Sequence, residues 1–524
     1  MKPQFVLIGA GQTSASAART LRKQGFDGSI VIVGEEPHPP YQRPPLSKEY
    51  LQGRSNEDEL WIAPAAWYTN NEVQLELGVR ALRVDRQTLD VALSDGRSLR
   101  ADAVLIATGG TPRKFPGDES ERILYLRTLE DAQLIREHAR PGRHIIIVGG
   151  GFIGSEIASS ARTLGADVTM LEAMEAPLQR VLGGTLGAVC AAIHREHGVT
   201  VRCGVAVESI AETAGGVLVR TTVGERIEGD VVVVGIGIVP NVDVAKATEI
   251  TVGNGIRVDE FCRTAAANIY AAGDVANHYH PLFDRRMRVE HFDNATRQGA
   301  VAALNMVGER TKYDDPHWFW SDQYDHSVQY AGHAERWDEI IMRGSIEQRD
   351  FTAFFMLDGG ITAAFGLNRG GEIMIVKELL ARQLPVDART LRDEDVDLGT
   401  LITEVDAADE ASGEGGQSAQ ADGDFQRAAR SGQVREGSVR RFVVQGREIA
   451  IARLNGRTYA LDNLCTHLAC HLSSGKVESG GLTCLCHGSI FDLATGEPIN
   501  PPATRAVRTY AVREMDGHIY VAMK

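Results

Sequence analysis

Near-continuous apolar runs of four residues recur through the first half of the chain, at 5–8, 30–33, 104–107, 145–148, 168–171 and 231–234. Runs of this kind suit parallel strands covered on both faces. They alternate with helical patterns, and that alternation predicts an α/β architecture. After residue 425 the pattern changes to short strand-like runs separated by the dipeptides Gln445-Gly446, Asn455-Gly456 and Asp516-Gly517. Such pairs favour the positive backbone angles of tight hairpins, so this part reads as an all-β module of about a hundred residues.

Between these regions, residues 403–424 hold seven acidic and no basic side chains among Ala, Ser, Gly and Gln. This stretch cannot bury enough apolar surface to offset its ordering entropy and reads as a flexible, self-repelling linker. A chain of 524 residues is modular by size alone. Its net charge of −15 argues against a nucleic-acid partner. The charge is unevenly spread: residues 427–524 carry 13 Lys or Arg against 8 Asp or Glu, so the excess acid lies in the body before them. No apolar run approaches a membrane span, and the N-terminus enters a strand at once without a secretory pattern, so no membrane partner and a cytoplasmic location are expected.

The first apolar run leads into Gly9-Ala-Gly11-Gln-Thr-Ser14, an Ala-rich helix follows, and Glu35 closes the next strand. In that context the glycines permit a tight turn and close approach of a pyrophosphate to a helix N-terminus, and the acid accepts from ribose hydroxyls. Ser14 replaces the usual third glycine. A second copy, Gly149-Gly-Gly151-Phe-Ile-Gly154, follows the 145–148 run and precedes Glu172. An acid at 172 with no Arg beside it favours NADH over NADPH.

Further strings make the resemblance specific. Ala107-Thr-Gly109, Gly235-Ile-Gly237-Ile-Val-Pro240-Asn241, Ala272-Gly-Asp274 and Pro40-Tyr-Gln-Arg-Pro-Pro-Leu-Ser-Lys48 are similar to signatures of the oxygenase-coupled ferredoxin reductase family, over roughly residues 1–400. The resemblance implies a two-dinucleotide-binding, glutathione-reductase-like α/β flavoprotein with an α+β C-terminal interface domain. It implies an FAD domain at 1–112 and 240–315, an NAD domain at 113–239 and a reductase C-terminal domain at 316–402. Carried over by motif, Gly9, Gly11, Ser14 and Glu35 hold the ADP half of FAD. Arg43, Lys48, Ala107 and Asp274 approach its phosphates and flavin. Gly149, Gly151, Gly154, Glu172 and Gly237 serve the NADH side, and Glu156 faces the nicotinamide. Trp320 resembles a residue that packs near the flavin; a plain core tryptophan is the alternative. No Cys pair stands at 40–50, where dithiol flavoenzymes of this fold keep theirs, so the flavin must pass electrons outward.

Four of the seven cysteines fall within residues 465–486. Cys465-Thr-His467 and Cys484-Leu-Cys-His487 give the two pairs of a Rieske [2Fe–2S] centre, two thiolates on one iron and two imidazoles on the other. Structural zinc is the alternative for any such donor set, although zinc sites more often group two Cys in one half and two His in the other. The surrounding strings resemble respiratory Rieske proteins, which implies a Cys470–Cys486 disulfide; two thiols are the alternative. The same resemblance gives Ser489 a hydrogen bond to sulfur and leaves Phe491 without the usual tyrosine donor. The Rieske domain is expected at 425–524.

Together these imply an NADH-dependent ferredoxin reductase, a relay from NADH through FAD to the chain's own cluster and on to an outside one-electron acceptor. By resemblance that acceptor is the terminal oxygenase of a ring-hydroxylating dioxygenase, with a haem-thiolate monooxygenase next. A redox sensor and an NADH oxidase are the competing readings, and a homodimer is left open.

Overall fold

The computed structural model describes residues 2–116, 120–402, 425–466, 471–478, 481–484, 489–500 and 503–523. The linker reading at 403–424 lies outside them, as do His467, Cys470, Cys486 and His487. The chain divides into two compact units. One comprises Met1–Ile340, Ser345–Arg349 and Phe355–Asp358; the other comprises Ile341–Gly344, Asp350–Phe354 and Gly359–Lys524.

All six apolar runs are central strands of two parallel sheets in the first unit. The first sheet runs Ile269–Ala271, Ala103–Ile106, Gln4–Ile8, Ser29–Gly34, Val73–Leu77, every neighbouring pair parallel. Helices Gln12–Lys23 and Phe292–Met306 cover one face, where Leu7, Ile30 and Ile32 meet Ala17, Leu21 and Ala302 with no exposed surface. Val6, Val104 and Ile106 fill the other face against Val91 and Ile256. Side chains buried this fully contribute roughly 1.5–3 kcal/mol each. That two-sided burial explains why these strands are unbroken apolar runs instead of alternating ones.

The second sheet runs Thr200–Cys203, Asp167–Glu172, His144–Val148, Val231–Val234, Ile123–Leu124, again parallel. Helix Phe152–Thr163 returns across it. The antiparallel hairpin Trp318–Gln323 and His326–Gly332 completes the part of this unit that matters for the site.

In the second unit, strands lead to helix Gly370–Ala381, and Arg343, buried, pairs with Glu372 on that helix at 2.9 Å. From residue 425 onward, among the described residues, regular structure is strand apart from two short 3₁₀ turns. The three turn dipeptides behave as read. Gln445 and Gly446 (φ 50° and 76°), Asn455 and Gly456 (53° and 70°), and Asp516 and Gly517 (49° and 71°) close successive antiparallel hairpins.

Candidate dinucleotide cavity and cluster site

Both glycine loops begin where a central strand ends, and both are built the same way. Gly9 has φ +114°, and a Cβ there would lie 2.2 Å from the Ala107 carbonyl oxygen. Gly149 has φ +104°, and its Cβ would lie 2.4 Å from the Gly235 oxygen. Each loop is thus pressed against a neighbouring strand end and tolerates no side chain. Gly154 is equally confined, with a Cβ position 2.1 Å from the Gly149 oxygen. The corresponding Ser14 is fully buried, so the first helix stands far enough off to admit a hydroxymethyl group.

Gly11 and Gly151 are different: nothing lies within 4 Å of either Cβ position. Each is the N-cap of its helix, neither end has a side-chain cap, and neither first turn contains an acid. Two helix N-termini therefore present unsatisfied N–H groups and partial positive charge to open space. That space is a cavity of about 1370 Å³ lined by both loops. Its walls include Gly9, Gly11, Glu35, Arg43, Lys48, Ala107, Gly151, Glu156, Gly237, Asp274 and Trp320 from the sequence reading. Ser14, Gly149, Gly154 and Glu172 stand outside the lining. Glu172 instead accepts from the backbone N–H groups of Gly150 and Met174, at 2.7 and 2.8 Å, and so ties the loop to its own strand end.

The polar floor is a buried network. Glu156 accepts from Lys48 Nζ at 3.1 Å, from Ser321 Oγ at 2.7 Å, and from Ser47 Oγ. Burial alone would lower the Lys48 ammonium, but Glu156 and Asp322 outweigh it and hold it above its ordinary value. Burial pushes the Asp322 carboxyl up to about 6, with Lys48 pulling the other way. The Lys48 ammonium sits 5.8 Å from the Trp320 ring centroid, and Trp320 stacks on Trp318 at 5.3 Å.

At the opposite wall, Arg43 donates to Glu36 at 2.5 Å and to the Arg127 carbonyl, while Tyr41 donates to the other Glu36 oxygen. Arg127 pairs with Asp274 at 3.1 Å. Burial and the neighbouring Arg43 lower the Arg127 guanidinium despite Asp274. Gly273 (φ +77°) lets the Asp274 turn approach Thr13, whose Oγ1 would be 2.3 Å from a Cβ. The sequence reading missed Glu36, Ser47, Arg127, Ser321 and Asp322. Ser321 and Asp322 directly follow Trp320 in the sequence, so that neighbourhood was a usable signal; Arg127 had none.

These features fit FAD and NADH: open helix N-termini, a glycine cradle that a Cβ would obstruct, and a buried Gln12 Oε1 on the wall with no hydrogen-bond partner. Among the described residues, no cysteine lines the cavity.

In the C-terminal module, Cys465 and Cys484 are 4% and 0% exposed and belong to one apolar cluster with Leu472, Leu482 and Phe491. Cys484 N–H donates to the Ser489 carbonyl at 2.7 Å, which closes its loop. The Ser489 hydroxyl accepts from Ala503 N–H at 2.9 Å. Two soft thiolate donors enclosed by apolar walls fit an iron–sulfur group.

Paired parallel sheets with glycine loops opening on one cysteine-free cavity define a two-dinucleotide-binding flavoprotein. The family described as pyridine nucleotide-disulphide oxidoreductase matches residues 3–299, reductase C-terminal matches 318–402, and the Rieske [2Fe-2S] domain matches 424–511. The chain is 39% identical over 402 residues to the anthranilate 1,2-dioxygenase system ferredoxin–NAD(+) reductase component of Burkholderia cepacia, covering 76% of this chain and 99% of that protein. It is 37% identical over 401 residues to rhodocoxin reductase of Rhodococcus erythropolis, covering 76% and 94%. The covalent putidaredoxin reductase–putidaredoxin complex superimposes with a TM-score of 0.75 at 34% identity, over 77% of this chain and 99% of that one. The chain belongs to the ferredoxin–NAD(+) reductase branch of the pyridine nucleotide-disulphide oxidoreductase family, fused to a Rieske domain, with FAD, NADH and a [2Fe–2S] cluster as its cofactors.

Proposed function

We propose that the chain is an NADH-driven electron relay that serves the terminal oxygenase of a ring-hydroxylating dioxygenase through its own Rieske domain. The carrying observation is the cysteine-free cavity shared by both glycine loops, in a chain that also encloses two cysteine ligands elsewhere. When bound, FAD accepts a hydride and releases electrons singly, and this matches a two-electron donor to a one-electron cluster.

In this reading Gly11 offers its helix end to the FAD pyrophosphate and Glu35 accepts from the ribose. Asp274, held by Arg127, and Arg43, held by Glu36, border the same ligand. Gly151 plays the pyrophosphate role for NADH, and Glu172 keeps that loop in shape. Lys48, Glu156 and Trp320, on the cavity floor, would border the flavin and nicotinamide and supply a fixed cation, a fixed anion and an aromatic face. The FAD domain then comprises 1–112 and 240–315, the NAD domain 113–239, and the four ligands are Cys465, His467, Cys484 and His487. The oxygenase assignment rests on the relative from Burkholderia cepacia, itself a dioxygenase-system component. No described helix is long and apolar enough to cross a membrane.

Anaerobic titration with NADH, followed by visible and electron paramagnetic resonance spectroscopy, tests the relay. Flavin bleaching together with a low-average-g signal is expected. Bleaching of the flavin with a cluster that stays oxidised would sink the internal relay.

A further inference from the structure

We propose that His278, His280 and His317 form a zinc site buried in the first unit, outside the dinucleotide cavity and outside the cluster module. His278 and His280 share one face of strand Ala276–His280, two residues apart, and His317 directly precedes strand Trp318–Gln323. Their exposures are 0%, 0% and 2%. One ring nitrogen from each lies within 4.8 Å of the other two. None of the three lines the cavity.

The donor atoms are in the state a metal requires. His280 Nε2–H donates to the Asp315 carbonyl at 3.1 Å, which leaves Nδ1 as the unprotonated nitrogen. That Nδ1 is buried and has no hydrogen-bond partner, nor do His278 Nε2 and either nitrogen of His317. A backbone carbonyl that fixes the tautomer of a ligating histidine is the usual outer support of a metal site.

The alternative, a merely aromatic core, accounts for the edge-on and tilted contacts of these rings with Tyr313 and Phe283. It does not account for several buried imidazole nitrogens left without partners, an arrangement that costs stability unless something satisfies them. Imidazole donors suit zinc, and three protein nitrogens leave one tetrahedral position. Two further histidines flank the cluster: His291 and His333 have ring centroids 6.4 and 6.2 Å from that of His317. Asp315, whose carbonyl holds His280, carries a carboxylate already paired with Arg297 at 2.9 Å. Ligation at a Zn–N length of about 2.0–2.1 Å brings the nitrogens to about 3.3 Å apart, a contraction within reach of ring rotations.

The test uses the full chain loaded with FAD and two irons, equilibrated with zinc chloride and then dialysed against a weak chelator. Iron in the Rieske module keeps zinc out of its Cys and His donors. Elemental analysis is expected to give about one zinc per chain, and zinc-edge X-ray absorption only light scatterers near roughly 2.0 Å. His317→Phe keeps an aromatic ring against Tyr313 and removes a ligand; it should retain FAD and iron but lose at least about nine-tenths of the zinc. Zinc should raise the thermal midpoint of the parent and leave that of His317→Phe unmoved. His280→Phe should reproduce the loss. No zinc retained by the parent, variants that keep as much zinc as the parent, or sulfur scatterers at roughly 2.3 Å would each overturn the site.

Discussion

Lys48 Nζ stands 3.1 Å from Glu156 Oε1, with side-chain exposures of 7% and 4%. The pair joins the turn Pro44–Ser47, which belongs to the first sheet's surroundings, to helix Phe152–Thr163, which opens the second glycine loop. Ser321 reaches the same carboxylate from a third segment. A charge pair this deep is an expensive way to hold segments together, because both ions must leave water. Its position on the cavity floor gives the cost a purpose: a fixed cation and a fixed anion beside Trp320.

Removal of one partner should therefore be worse than removal of both. Glu156→Leu leaves the Lys48 ammonium buried without its main counter-charge and should destabilise the protein by about 3–5 kcal/mol. Lys48→Met combined with Glu156→Leu should recover much of that loss, while NADH-dependent flavin reduction stays slow in both. Denaturation midpoints of the two variants, set beside stopped-flow rates, separate stability from turnover. A double variant no more stable than Glu156→Leu would contradict the ion-pair account.

The glycines of the first loop should split into two classes. Gly9→Ala places a methyl 2.2 Å from a backbone oxygen at φ +114° and should prevent folding of the first unit. Gly11→Ala meets no protein atom within 4 Å and should fold, yet release FAD at least about tenfold more readily because the methyl occupies the ligand's space. Flavin content after gel filtration, with circular dichroism as the folding control, gives both answers.

This contrast shows what the sequence could convey. Gly9 and Gly11 sit in a local motif, as do the Asn455-Gly456 and Asp516-Gly517 hairpins, and the six apolar runs announce two-sided burial directly. The Glu156 network does not announce itself, since Ser47 and Ser321 come from segments 109 and 165 residues away in the chain. Arg127 is one arginine among many until folding places it against Asp274. The histidines at 278, 280 and 317 likewise form a cluster only once two strands meet. Edge strands as short as Ile123–Leu124 carry too few residues for a periodic signal. Cys465 and Cys484 stand out by their spacing with His467 and His487, and the structure buries both cysteines in one apolar cluster.

Asp322 supplies a pH-dependent test. Its ordinary carboxyl value is 3.8, and in the folded protein burial raises it to about 6. The unfolded chain therefore gives up this proton first, and stability falls as pH rises through that window. Below 3.8 both states hold the proton and no penalty exists; above about 6 the penalty is complete, about 2–3 kcal/mol. Asp322→Asn, which preserves shape, should raise the thermal midpoint at pH 8 and lose that advantage as pH approaches 4. An advantage independent of pH would mean that the carboxyl is not the cause.

The two halves of the relay should be separable by one sulfur atom. Cys484 is fully buried, its N–H closes the loop to Ser489, and its neighbours in the apolar cluster are Leu482 and Phe491. Cys484→Ser substitutes a hard, poorly ionised donor for a thiolate, so the [2Fe–2S] group should be lost. Among the described residues, the walls of the dinucleotide cavity all come from residues before 321. NADH-dependent ferricyanide reduction, which takes electrons from the flavin, should stay within about twofold of the parent, while cytochrome c reduction falls by at least about tenfold, a difference of roughly 1.4 kcal/mol in barrier. Equal loss of both activities would mean that the flavin unit depends on the cluster module for its integrity. Equal retention would mean that electrons leave from the flavin itself and that the cluster is not on the path.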